Sequence, residues 1–312
     1  MKTFYPYKFT WLCIVTICLL IFSSIQAAEL SITTGGKEGT YFQIGSDIAK
    51  LARQHGVRLD VKPSKGSLDN IIRIYGKKYR QIGIVQSDIL EYLRSSTDHK
   101  MRKTARDIKM IASLHNEEVH ILANKSIKRL SQLNGKKISI GPTNSGTAIT
   151  ASLLLKKSGV TPGKTLYMSA EKALDALRSQ DIDAMVYVSG YPVSLFSKIK
   201  NTDNLHLVPI LDRRIGGSYI MSSIPEGTYT WQKGIVSTIA VKAVLTGYEY
   251  NKKNHHSKKV CEIGKIIHSN IDWLKRNGHS KWDNVRLNES LTGWEKNGCI
   301  DNAVTSLHSA QL

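Results

Sequence analysis

The sequence predicts an α/β fold made of two lobes. Short β-prone segments alternate with segments of helical apolar spacing along most of the 312 residues, which is typical of a parallel sheet covered by helices on both faces. The alternation occurs as two successive series, one before and one after Asn124. A chain of this length can bury two cores, so we expect a ligand cleft where the carboxyl ends of the strands of both lobes meet.

The first series begins with the stretch SITTGGKEGTYFQIGSDI, residues 31–48. Its first residues are β-prone, its glycines permit a sharp turn, and apolar residues at helical spacing follow. The first N–H groups of a helix that follows such a turn are unpaired and favour a bound anion. Any βα unit also has a turn, so for this turn alone an ordinary structural role stays open.

Further strands and helices follow from the same patterns. Strands are predicted at 57–62, 82–85, 108–114, 119–123, 137–140, 165–168, 184–188 and 205–209, with a polar link at 115–118. Helices are predicted from Ser67 and Asp88 and over 148–157 and 170–179, before an extended run at 235–244 and a helical tail.

The turns that follow five of these strands are expected to converge. They contain Gly35, Ser64, Gln86, Thr143 and Gly190. Because the carboxyl ends of parallel strands lie at one edge of a sheet, these turns would all face the cleft. Their recurrence favours a binding site over five unrelated turns.

The turn GPTNSGT, residues 141–147, carries hydroxyl and N–H donors. It lacks the lysine of a nucleotide phosphate loop, which argues against ATP binding. Ser145 lacks the flanking glycines of a hydrolase elbow, and no histidine and carboxylate spacing indicates a triad. Donors without a nucleophile and base suit binding of a carboxylate, so we expect no enzymatic activity and no cofactor. A hydrolase that uses Ser145 is the alternative.

Residues 1–28 are predicted to be a cleavable secretory signal. Two lysines precede an apolar run from Trp11 to Ile25 that is too short for a comfortable membrane span, and the cut is expected near Ala27 or Ala28. An uncleaved anchor is the alternative. The signal implies export, so a periplasmic location is expected.

Two cysteines, Cys261 and Cys299, remain after the predicted cut. In an oxidising compartment they most simply form a disulfide, and two free buried thiols are the alternative. No metal site is expected, because the nearby histidines lack zinc-ligand spacing with either cysteine.

The chain is strongly basic, with a formal net charge of +19. Such an excess suits anionic partners. The lysines are dispersed, however, and the one dense cluster, KKNHHSKK at 252–259, contains no aromatic residue. We therefore interpret it as a solvated loop and expect no nucleic-acid binding.

Seven segments extend over most of the chain in a fixed order: TTGGKEGTYFQIG from Thr33, SKGSLDNI from Ser64, IGIVQSDI from Ile82, NEEVHILAN from Asn116, KKISIGPTNSGT from Lys136, DAMVYVSGYP from Asp183 and IPEGTY from Ile224. Together they resemble the TAXI-type solute-binding proteins of tripartite ATP-independent periplasmic (TRAP) transporters. The resemblance implies a type II periplasmic binding protein fold, in which paired hinge strands join lobe 1 (29–122 and 237–312) to lobe 2 (123–236).

The same resemblance implies a function and a set of site residues. The protein would be a monomeric periplasmic receptor that binds a small carboxylate of the glutamate, glutamine or 2-oxoglutarate type and delivers it to the membrane subunits of a TRAP transporter. A ligand-sensing or host-interaction protein without a transporter is the alternative. The residues that the motifs assign to the ligand are Gly36, Thr40, Tyr41, Ser67, Asn70, Gln86, Ser145, Gly146, Thr147, Tyr187, Gly190 and Tyr191.

Three positions depart from the family pattern. Lys37 and Glu38 stand where small residues are usual, and Lys65 replaces a common glycine. Either lysine would favour a more anionic ligand if it faced the cleft, or would point to solvent.

Overall fold

The computed structural model describes residues 30–37, 39–76, 81–215, 219–249, 255–287 and 289–300. The predicted signal at 1–28 and Glu38 lie outside the described residues. Within those ranges, no helix has the length and apolar character needed to span a membrane.

Ten strands in the described ranges form one mixed sheet. They are β1 (Leu30–Thr33), β2 (Leu59–Lys62), β3 (Gln81–Gln86), β4 (Ile108–Asn124), β5 (Lys137–Ser139), β6 (Lys164–Leu166), β7 (Ala184–Ser189), β8 (Leu205–Leu207), β9 (Ile220–Ile224) and β10 (Val236–Tyr248). The strand order is β2-β1-β3-β10-β4-β7-β5-β6, with β8 beside β4 and β9 beside β10. Strands β4 and β10 run antiparallel to each other, and parallel pairs flank them on both sides.

Helices cover this sheet on both faces. They are α1 (Thr40–Gln54), α2 (Ser67–Tyr75), α3 (Ile89–Arg94), α4 (His99–Asp107), α5 (Gly146–Lys157), α6 (Ala170–Arg178), α7 (His255–Ser269) and α8 (Ile271–Asn277). Short 3₁₀ segments occur at Leu130–Leu133, Phe196–Lys198, Asn201–Asp203, Arg213–Ile215 and Ser280–Asn284.

Each half of the sheet has two hydrophobic cores, one on each face. In lobe 1, Leu245 packs with α1 and α7 on one face, and the adjacent Val244 packs with α2 and α3 on the other. This alternation follows from the two-residue period of a strand. In lobe 2, Ile138 packs with α5 on one face, and Met185 packs with α6 on the other.

Strands β4 and β10 run from one lobe into the other. The sequence predicts two strands and a polar link at 115–118, whereas β4 is one continuous strand of 17 residues. The prediction is wrong because the backbone of Asn116, Glu117 and Glu118 pairs with β10. This pairing keeps the polar residues within the sheet. The residue boundaries of the lobes stay a prediction.

A disulfide joins Cys261 in α7 to Cys299 near the end of the described chain. The predicted pairing is therefore confirmed, and the alternative of two free thiols is wrong. The bond closes a sequence separation of 38 residues and holds the C-terminal segment against α7.

Candidate ligand-binding site

A cavity of about 350 Å³ lies between the two lobes. The turns after β1, β2, β5 and β6, the ends of β3 and β7 and the middle of β4 form its walls. Residues from distant parts of the chain thus meet where the carboxyl ends of the parallel strands were expected to converge.

Most of the residues that the motifs assign to the ligand line this cavity. They are Gly36, Thr40, Tyr41, Ser67, Gln86, Ser145, Gly146, Thr147 and Tyr187. Both lobes contribute to this set, so a molecule in the cavity would touch both.

Asn70 does not line the cavity. Its side chain is fully buried and accepts a hydrogen bond from Thr33 Oγ1 at 2.7 Å. Its Nδ2 donates to the carbonyls of Thr34 at 2.5 Å and Ile84 at 2.7 Å. Asn70 therefore joins α2 to the ends of β1 and β3 and has a structural role.

Gly190 and Tyr191 also lie outside the cavity lining, and both contact Lys281. The Lys281 ammonium lies 4.3 Å from the centre of the Tyr191 ring. A Cβ atom on Gly190 would lie 2.5 Å from Lys281 Cε. The turn after β7 therefore packs against the 3₁₀ segment of lobe 1 that carries Lys281.

The two lobes touch at the start of α5. A Cβ atom on Gly146 would lie 2.1 Å from Gln86 Oε1 and 2.5 Å from Ser67 Oγ, so only a glycine permits this approach. Nearby, Thr150 Oγ1 donates to Asp88 Oδ2 at 2.8 Å across the same junction. The lobes are thus in contact on one side of the cavity.

Four helices begin at the cavity: α1, α2, α5 and α6. Ser145 Oγ caps α5 by accepting from the N–H of Ala148 at 3.1 Å, and Ser169 Oγ caps α6. The N-caps of α1 and α2 are Gly39 and Gly66, where no side chain provides a cap. The N–H of Phe42 in α1 donates to the carbonyl of Gly39, and that of Asp69 in α2 donates to the carbonyl of Asn144. The remaining first N–H groups of these two helices form the natural site for a carboxylate.

Glu117 is a cavity residue that the sequence interpretation missed. It lies in the middle of β4, its side chain is 3% exposed, and Tyr41 Oη donates to its Oε2 at 2.6 Å. Burial chiefly raises the pKa of Glu117 to about 8, and the neighbouring carboxyl groups of Glu118 and Asp88 also raise it. The signal in the sequence was a pair of acids in a short polar segment between two β-prone apolar segments.

The charged groups of the described lining are few. Lys65 is its one cation and is exposed, while Glu117 and Glu171 are its acids. Lys37 is exposed and is not part of the lining. The part of the chain that the structure describes contains no cluster of three His, Cys, Asp or Glu side chains suited to hold a metal ion.

Comparison with known proteins supports the fold. The sequence model of the NMT1-like family matches residues 32–295. A solved structure described as a periplasmic transporter aligns with a TM-score of 0.55 at 9% identity, covering 92% of this chain and 96% of that chain. MatC from Rhodopseudomonas palustris, solved with bound malate, aligns with a TM-score of 0.54 at 11% identity, covering 92% and 97%.

A third structure, the periplasmic binding protein BugD, gives a TM-score of 0.52 at 9% identity over 90% of this chain and 96% of that chain. At these identities the likeness concerns the fold alone. It confirms the predicted two-lobed α/β fold of periplasmic binding proteins. The narrower resemblance to TAXI-type proteins stays a prediction.

Proposed function

The chain belongs to the NMT1-like family, and we propose that it is a periplasmic solute-binding receptor that closes its two lobes on a small carboxylate-bearing metabolite. The observation that carries this proposal is the cavity between the lobes, at which four helices begin and two of them lack side-chain caps. Unpaired N–H groups at a helix N-terminus bind anions without a charged side chain.

The hydrogen bonding and the surroundings of Ser145 favour binding over catalysis. Its hydroxyl caps α5, and no histidine occurs in the described cavity lining to act as its base. A ligand that contacts both lobes would stabilise the closed arrangement by its additional contacts there, with β4 and β10 as the connecting strands.

The finer proposal concerns the ligand and the partner. The seven segments that resemble TAXI-type proteins favour glutamate, glutamine or 2-oxoglutarate as the ligand type and the membrane subunits of a TRAP-type transporter as the partner. MatC was solved with malate, so a small dicarboxylate is compatible with this fold.

The test is calorimetry and thermal unfolding of the purified protein with L-glutamate, L-glutamine, 2-oxoglutarate and malate. A ligand at about 100 times its Kd should stabilise the protein by about 2.7 kcal/mol and raise Tm by several degrees. Native mass spectrometry of the protein as purified should reveal a small bound acid. If no panel member binds and no small molecule co-purifies, the receptor function is wrong.

A further inference from the structure

The charge pattern of the cavity narrows the class of solute, provided that the proposed receptor function holds. We infer that Glu117 accepts a hydrogen bond from a ligand ammonium group, so that the solute is an amino acid rather than a 2-oxo acid or a plain dicarboxylic acid. The carboxylate of the same ligand would bind the uncapped starts of α1 and α2.

The geometry of Glu117 supports this role. Tyr41 Oη donates to Oε2, which orients the carboxyl group and uses one of its two oxygens. No hydrogen bond from the described residues reaches Oε1, which is thus left open to the cavity that Glu117 lines. The open oxygen of Glu117 needs a polar partner when a ligand displaces water from the cavity, and an ammonium group supplies a donor together with the positive charge that favours the ionised carboxylate.

The balance of charges points the same way. A ligand with two carboxylates would meet Glu117 and Glu171 in the described lining, whose one cation is the exposed Lys65. The Lys281 ammonium lies outside this lining and acts on Glu117. An amino acid brings one positive and one negative group. Its charges therefore match a site that has a buried acid on β4 and uncapped helix N-termini after β1 and β2.

The groups around Glu117 set how binding depends on pH. Glu118 and Asp88 raise its pKa, while Tyr41 and the Lys281 ammonium lower it, and burial dominates to give a value of about 8. An adjacent ammonium favours the ionised carboxylate. Binding of an amino acid should therefore release a proton near pH 7, and affinity should rise roughly tenfold per pH unit until about pH 8.

The first experiment compares matched ligands by calorimetry at pH 7. The sets are L-glutamate with 2-oxoglutarate and glutarate, L-aspartate with oxaloacetate and succinate, and L-leucine with 4-methyl-2-oxopentanoate. Within each set the molecules differ in the group at the carbon next to the carboxylate. The expected result is that the amino acid of at least one set binds at least about tenfold more tightly than its partners.

The second experiment uses the ligand that binds best and two variants. Glu117→Gln keeps the size of the side chain and should abolish both the preference for the amino acid and the rise of affinity with pH. Glu226→Gln changes an exposed acid outside the described cavity lining and is the matched control, which should retain both. Thermal unfolding of each variant without ligand verifies that it folds.

A third variant tests the role of Glu117 by removing the hydroxyl of Tyr41, which donates a hydrogen bond to it. Tyr41→Phe removes a hydrogen bond that lowers the pKa of Glu117. The pH at which amino-acid affinity levels off should therefore move upward. If Tyr41→Phe instead weakens binding equally at every pH, then Tyr41 makes a purely structural contact. That result would contradict the role of Glu117 as the ammonium acceptor.

Two results would overturn the inference. If 2-oxo acids or plain dicarboxylic acids bind as tightly as amino acids, or if affinity falls as pH rises from 6 to 8, then Glu117 is not an ammonium acceptor, while the receptor function stands. If no member of any set binds, the inference is overturned, and if in addition no small molecule co-purifies with the protein, the receptor function is overturned as well.

Discussion

At the scale of single residues, buried ionisable side chains determine the response of the fold to pH. His115 is fully buried and neither of its ring nitrogens has a hydrogen-bond partner among the described residues. Burial, with help from the charges of Lys281, His279 and Lys242, lowers the pKa of His115 to about 3. This histidine is therefore neutral in the folded protein.

A neutral buried histidine destabilises the fold in acid. In the unfolded chain the pKa of a histidine is about 6.5, so below that pH the unfolded state binds a proton that folded His115 does not. Stability is unaffected by His115 above pH 6.5 and falls by about 1.4 kcal/mol for each pH unit below it. His115→Leu should thus reduce the loss of unfolding free energy between pH 6.5 and pH 5 by about 2 kcal/mol.

Urea unfolding of His115→Leu and the unsubstituted protein at pH 5, 6.5 and 8 checks this prediction. The buried carboxyl groups affect the free energy of unfolding at low pH in the opposite direction to His115. Because both proteins contain these groups, the difference between the two proteins reports on His115. An identical pH profile for the two proteins would show that His115 does not remain neutral in the folded state.

The sequence predicted part of the site at this scale. Hydroxyl and N–H donors in turns after strands can be recognised locally, and nine of the assigned residues do line the cavity. Asn70 has the same chemistry but is turned inward, towards β1 and β3. Glu117 was missed because its position depends on pairing with β10, more than a hundred residues away in the sequence.

At the scale of elements, the N-terminus of α5 forms the junction of the lobes. Gly146→Ala should prevent the close contact of the two lobes at the start of α5, because the added Cβ would lie 2.1 Å from Gln86 Oε1. Gln86 is buried, and its Oε1 already accepts from Thr150 Oγ1 at 3.2 Å, so it has little room to move. We expect the lobes to separate and ligand affinity to fall by about tenfold or more. A tenfold loss corresponds to about 1.4 kcal/mol of binding free energy.

Small-angle scattering should show a larger radius of gyration for Gly146→Ala, and calorimetry should show the loss of affinity. Ser152→Ala is the matched control on the same helix, since Ser152 is exposed and its hydroxyl donates to the carbonyl of Ala148 within the helix. Wild-type affinity and an unchanged radius for Gly146→Ala would mean that the junction adapts to the added methyl group.

The elements themselves were predictable where their pattern is local. The helices α1, α2 and α6 show clear apolar spacing, and they form close to the predicted positions. In contrast, α4 has the polar sequence HKMRKTARD and buries only Thr104 and Ala105. Few apolar residues mark such a helix in the sequence, although Asp98 caps its N-terminus, and it packs against α3.

At the scale of the whole molecule, the disulfide holds the end of the described chain to lobe 1. Closure of a separation of 38 residues should stabilise the protein by about 4 kcal/mol in the chain-entropy description. The double variant Cys261→Ala/Cys299→Ala should lose roughly this free energy of unfolding. Ligand affinity should be unchanged, because neither cysteine lines the cavity.

Urea unfolding with and without a thiol reductant is the appropriate measurement. The reductant should weaken the unsubstituted protein and leave the double variant unaffected. Equal stability of the two oxidised proteins would show that the bond does not contribute to the fold.

The path of the chain through the two lobes also determines the order in which the lobes can be completed during synthesis. The two cores of lobe 2 draw on residues from Val119 to Val241. The cores of lobe 1 begin at Leu30 but also need Trp294 and Ile300. Because the chain is synthesised from its N-terminus, all core residues of lobe 2 are present before those of lobe 1 are complete. The N-terminal segment of lobe 1 is made first but lacks Trp294 and Ile300 until the end. The lobe that begins the sequence is the last that can fold.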